Sequence, residues 1–89
     1  MRAFRTNPDY IFSSIKDEMV LLNKDNGKYF KLNKSSALIW KELQNCNEVE
    51  ELELKVTQKF PPEIKKEIIK DIKIFIEQAI KLKFIIEVE

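Results

Sequence analysis

The sequence has no histidine, one glycine, one cysteine and three prolines among its 89 residues. Without histidine it lacks the commonest acid–base group and the commonest nitrogen ligand at neutral pH. One cysteine and no histidine leave no zinc-binding set. The single glycine, Gly27, excludes a glycine-rich phosphate loop and a dinucleotide fingerprint, so neither a metal nor a cofactor is expected. Cys46 has no partner for an internal disulfide, which agrees with a reducing compartment. With no histidine to activate it and acidic residues following it, Cys46 reads as a structural thiol rather than a nucleophile. There is no apolar run of about 18 residues. Met1, Arg2, Ala3, Phe4 and Arg5 do not begin a signal peptide. The expected location is the cytoplasm, with no membrane contact.

Apolar residues make up 44% of the chain and charged residues 35%, enough to bury a core and stay in solution. At this length one domain, residues 1–89, is expected. Sixteen basic and fifteen acidic residues give a net charge of +1, far from the basic balance that phosphate neutralisation demands. The carboxylates cluster in Asp17-Glu18 and again in Glu48, Glu50, Glu51 and Glu53, where a turn and an acidic first helical turn account for them better than acid–base chemistry does.

Tyr10 to Ile15 and Glu18 to Lys24 are β-rich runs split by Lys16-Asp17, and Lys28 to Leu32 follows Asp25-Asn26-Gly27. A two-residue Asn26-Gly27 turn would pair Leu22 with Lys31 and mix apolar with charged side chains. A three-residue loop, with Gly27 in the left-handed region, pairs Leu22 with Phe30 and Val20 with Leu32. It gathers those four on one face and is the register expected here. Met19, Leu21, Tyr29 and Lys31 then form the other face, a surface for docking an enzyme partner or for self-association as a homodimer.

Asn33 is a good N-cap, and Ala37, Ile39, Trp40 and Leu43 have helical spacing. Asn47 can cap a second helix with Val49, Leu52, Val56 and Phe60 inside. Pro61-Pro62 ends it. From Glu63 to about Lys83 the apolar positions fall on one arc, predicting the longest helix. Phe84 to Val88 reads as a short last strand. The expectation is an α+β, winged-helix-like domain: an N-terminal three-stranded antiparallel sheet, then three helices and a short C-terminal strand.

Two surfaces are suited to a partner. The Lys28–Leu32 run has one neighbour in its hairpin and can offer an unpaired edge to an extended peptide. Ile74 lies opposite the apolar arc of the last helix, among Glu67, Lys70, Asp71, Gln78 and Lys81. Packed beside the third strand, it would wall a groove floored by that strand and suited to an acidic, partly apolar peptide.

The run Asp17 to Asn23, then Asp25-Asn26-Gly27-Lys28-Tyr29-Phe30-Lys31-Leu32-Asn33, then Ala37-Leu38-Ile39-Trp40, resembles the PqqD-like family. So do Phe60 before the Pro/acidic break and the final helix with Asp71, Ile72 and Phe75-Ile76. Two departures stand out: Ser36 and Lys83 occupy positions where members often have glycine. The resemblance implies a non-catalytic recognition element for ribosomally made, modified peptides (a RiPP recognition element). It implies binding of a precursor's leader by Tyr29, Phe30, Lys31 and Leu32, with Lys28 at the head of the strand. Lys70, Asp71, Ile74, Gln78 and Lys81 would then line the helix side. It further implies a modifying enzyme as partner, such as a radical SAM enzyme, a protease or a cyclase, to which the leader is presented. Phe30, Leu32 and Trp40 are also natural core residues.

Two rival readings remain. One is a winged-helix DNA-binding protein using Lys65, Lys66, Lys70, Lys73, Lys81 and Lys83; Glu63, Glu67, Asp71 and Glu77 interleave with these lysines, and the helix has no arginine for guanine contacts. The other is a docking subunit of an enzyme complex that binds no peptide.

Overall fold

The computed structural model describes residues 2–88. Strands β1 (Ala3–Thr6), β2 (Tyr10–Ile15), β3 (Glu18–Asn23) and β4 (Tyr29–Leu32) precede helices α1 (Lys34–Leu43) and α2 (Val49–Thr57). A 3-10 turn, Pro62–Ile64, leads into helix α3 (Lys65–Lys81), and β5 (Ile85–Val88) follows. The expected three-stranded antiparallel sheet is present in the order β2-β3-β4. A second, two-stranded sheet joins β1 to β5 antiparallel.

The register of the β3–β4 hairpin differs from both sequence alternatives. Leu21 faces Phe30, Met19 faces Leu32, and Leu22 faces Tyr29. The cause is Asn23, whose carboxamide oxygen accepts from the Asp25 and Asn26 N–H groups at 2.8 and 3.3 Å. This Asx turn draws Lys24 out of the strand and into a four-residue loop, closed by Gly27 N–H donating to Asn23 O at 2.9 Å. Gly27 does take the left-handed conformation expected of it, with φ +73°. The shift rearranges the faces. Leu21 lies in the core with Phe30, Leu32 and Tyr10 packed there too, while Tyr29 is 51% exposed on the opposite side. The expected Met19, Leu21, Tyr29 face therefore does not exist, because Leu21 points into the core.

The helices follow their apolar spacing. Asn33 caps α1, its side chain accepting from Ser36 N–H at 2.8 Å. Asn47 does not cap α2. Its carbonyl accepts from Phe4 N–H at 2.8 Å, its own N–H donates to Glu51 Oε1 at 3.1 Å, and Glu48 stands at the cap position. Strand β1 thus occupies the approach to α2, and Phe4 enters the core beside Val49, Ile76 and Ile85.

Helix α3 ends in a Schellman cap. Phe84 N–H donates to Ala79 O at 2.8 Å and Lys83 N–H to Ile80 O at 3.1 Å. Lys83 sits at φ +66°, the conformation a glycine takes without strain. The core gathers Leu21, Ile39, Trp40, Leu43, Leu52, Val56, Ile72, Phe75, Ile76, Phe84 and Ile85 from the sheet and all three helices. Among the described residues no helix is long and apolar enough to cross a membrane.

Candidate functional site: a strand edge opening onto a groove

Strand β4 is an edge of its sheet. Asn23 N–H donates to Lys28 O at 2.8 Å, which makes that pair hydrogen-bonded. By the alternation of an antiparallel ladder, Phe30 and Leu32 then spend their backbone groups on β3. Tyr29 and Lys31 keep an N–H and a C=O each, directed to the free edge. Their side chains lie on the outer face, where Lys31 Nζ pairs with Glu18 Oε2 at 3.1 Å. The hydrogen bond to Glu18, more than its charge, raises the Lys31 ammonium above the usual lysine range.

Phe30 fixes the start of this strand. Its ring meets that of Phe84, just past the end of α3, at 5.0 Å between centroids, and Tyr10 packs on Phe84 at 4.9 Å. The far end of the strand runs into Asn33 and the first turn of α1. There a groove of about 230 Å³ lies between Asn33, Ser35, Ser36 and Ile39 on one side and Asp71, Ile74, Phe75 and Gln78 of α3 on the other. Strand β4 thus starts beside the residues that follow α3, and its chain continues through Asn33 into the lining of the groove.

Of the residues singled out from sequence, Asp71, Ile74 and Gln78 come together as one wall of this groove. Ile74 is 49% exposed, although Ile72 and Phe75 on the same helix are buried. Lys28, Tyr29 and Lys31 are exposed on β4 or just before it, whereas Phe30 and Leu32 are half-buried against the core. Lys70 and Lys81 are exposed on α3 and outside the groove lining. The buried Ile39 and Phe75, rather than the strand, floor the groove, since its lining comes from Asn33, α1 and α3 and includes no residue of β4.

The opposite wall, Asn33, Ser35 and Ser36, was not anticipated as part of a site. Asn33 was legible as a cap and Ser36 as an unusual residue, but neither signal says that the first turn of α1 faces α3. Ser36 N–H is already taken by the Asn33 side chain, so the hydroxyls of Ser35 and Ser36 and the ends of Asp71 and Gln78 supply the groove's polar character.

The described lining of the groove carries serine hydroxyls, carboxamides and one carboxylate, and no cysteine. Cys46 lies elsewhere, buried, its thiol donating to Glu42 O at 3.2 Å. Burial chiefly pushes the thiol above its ordinary range; Lys55 opposes this, and the nearby Glu51 and then Glu42 add to it. Among the described residues no group of His, Cys, Asp and Glu is placed to hold a metal ion.

The sequence model of one protein family, described as coenzyme PQQ synthesis protein D (PqqD), matches residues 18–85. That span runs from the first residue of β3 to the first residue of β5 and includes β4, the groove and α3. No curated protein matches the chain by sequence. Two solved structures share the fold. One, a lasso peptide synthetase B1 complexed with the leader peptide, is 23% identical over 94% of this chain and 98% of that one, with a TM-score of 0.73. The other, TbiB1 in complex with the TbiA(beta) leader peptide, is 21% identical over 92% and 94%, also with a TM-score of 0.73.

Proposed function

The chain belongs to the PqqD family, and on that premise we propose that it recognises the leader of a ribosomally made precursor peptide and presents the peptide to a modifying enzyme. The observation that carries this is the junction of a free strand edge at Tyr29 and Lys31 with a groove along α3. An extended leader adds to β4 through main-chain hydrogen bonds. One of its side chains enters the groove over Ile39, Ile74 and Phe75, within reach of Asp71 and Gln78. Exposed Lys28, Lys31, Lys70 and Lys81 flank the path and favour an acidic, partly apolar leader.

The role is non-catalytic. The protein raises the effective concentration of the peptide's core region near its enzyme, a radical SAM enzyme, a protease or a cyclase, in the cytoplasm. Residues 1–89 act as one recognition domain. The fold of two leader-bound proteins supports this reading, as does the mixed charge of α3, whose exposed lysines alternate with Glu67, Asp71 and Glu77 and do not form a basic face for duplex DNA.

Calorimetric titration with candidate precursor leader peptides tests the proposal. Saturable one-to-one binding is expected, weakened at least about tenfold by Ile74→Asp, which sets a charge in the apolar part of the groove. Equal affinity in wild type and variant would contradict the placement of the leader. No binding at all would favour a docking subunit without peptide recognition.

A further inference from the structure

The three-stranded sheet has a second edge, β2. Natural edge strands are guarded by lysine, proline, bulges or shortness, because an open edge recruits other strands. Strand β4 follows that rule with four residues and Lys31. Strand β2 does not. Its six residues, Tyr-Ile-Phe-Ser-Ser-Ile, include no charge and no proline, and its pairing with β3 runs from Tyr10 to Ile15 without a bulge. Ile11, Phe12 and Ile15 are 41%, 37% and 38% exposed.

The direction of the free groups follows from the ladder. Lys24 N–H donates to Asp9 O at 2.8 Å, so alternation commits the backbone of Ile11, Ser13 and Ile15 to β3 and turns Tyr10, Phe12 and Ser14 outward. Tyr10 N–H already donates to Asn7 O at 3.1 Å. Phe12 and Ser14 are left with both donor and acceptor open. A strand complementary to that pair, of the same length and equally uncharged, is β2 itself turned through a two-fold axis.

We propose that β2 pairs antiparallel with β2 of a second copy, with Ser13 on the axis and Phe12 opposite the second copy's Ser14. This register closes four backbone hydrogen bonds and opposes no charges within the paired strands. It sets Ile11 beside the second copy's Ile15, twice, on the outer face that already carries Val20 and Leu22. The cleft of about 420 Å³ between β2 and α1, bordered by Phe12, Trp40 and Lys41, leaves room for the inward side chains of the added strand. The product is a six-stranded sheet with a β4 edge at each end, so both leader grooves stay open. The contact runs along roughly 17 Å of strand. It buries well under the roughly 800 Å² per partner of a standard interface, so the dimer dissociates on dilution. The proposal does not depend on leader binding.

Cysteine crosslinking tests it. In this register Ser13 meets itself at a non-hydrogen-bonded position, where Cα atoms stand about 4.5 Å apart, within disulfide range. Two copies of Ser14 are offset diagonally and out of range. Mild oxidation at high protein concentration should convert Ser13→Cys to a covalent dimer at least about tenfold faster than Ser14→Cys, since only the former is held at bonding distance. Sedimentation equilibrium of the unmodified protein, which needs no cysteine, should show a mass rising toward that of a dimer from micromolar to millimolar concentration. Ser14→Lys, an edge guard at an exposed position, should stay monomeric. Equal crosslinking of the two cysteine variants, a monomer at every concentration, or a dimer untouched by Ser14→Lys would each overturn the proposal.

Discussion

The rings of Phe30 and Phe84 meet edge to face with centroids 5.0 Å apart, tying the start of β4 to the capping turn that ends α3. That contact sets where the strand edge lies relative to the helix, so the geometry of the site rests on packing at some distance from the groove. Truncating Phe84, which is 4% exposed, to alanine should cost about 3–5 kcal/mol of unfolding free energy. Phe30→Ala, at a half-buried position, should cost less. Urea denaturation followed by Trp40 fluorescence checks both values.

Lys83 holds φ +66° at the position after the α3 cap, and its carbonyl accepts from Asn7 Nδ2 at 2.8 Å. Glycine would take this left-handed cap conformation without the steric cost a side chain carries. Lys83→Gly should stabilise the fold by about 1 kcal/mol, by relieving the left-handed backbone while keeping both capping hydrogen bonds. Thermal unfolding is the check, with an unchanged or lowered midpoint as the opposing result.

On the strand edge, Lys31→Pro removes one outward N–H without touching a β3–β4 hydrogen bond, as proline on the free side of an edge strand does. The fold should persist, with loss of the exposed Lys31–Glu18 pair costing little. Affinity for a leader peptide should fall about fivefold, the value of one net backbone hydrogen bond. Lys31→Ala keeps the N–H and separates the backbone effect from that of the charge.

The Cys46 thiol is buried and its pKa is raised, mainly by desolvation. The stability it contributes is therefore whole below the unfolded thiol's pKa and is lost as pH rises through the higher folded value. Alkylation by iodoacetamide at mildly alkaline pH should be slow in the native protein and fast in urea. A fast native reaction would mean an accessible thiolate that this packing does not provide.

The helices were legible because a one-sided apolar pattern has few alternative foldings. Ala37, Ile39, Trp40 and Leu43, and likewise Ile72, Phe75, Ile76 and Ala79, are the buried residues of α1 and α3. The hairpin was legible as a hairpin but not in register. Alternation alone cannot detect that Asn23 uses its side chain to open a four-residue loop, and a shift of one residue reverses every face. Strand β1 was missed because Ala3–Thr6 has one large apolar residue and pairs with β5, at the other end of the chain. The strand edge and Ile74 could be inferred locally. The other wall of the groove could not, because it depends on the long-range approach of the first turn of α1 to α3.

The most direct test of leader recognition on β4 and α3 is a titration of labelled protein with the leader peptide, followed through backbone amide chemical shifts. The largest changes are expected at Tyr29, Lys31 and Asn33 and along Lys70 to Lys81, with little change on β1 and α2. Changes confined to β2 and the outer sheet face, with β4 and α3 silent, would contradict it.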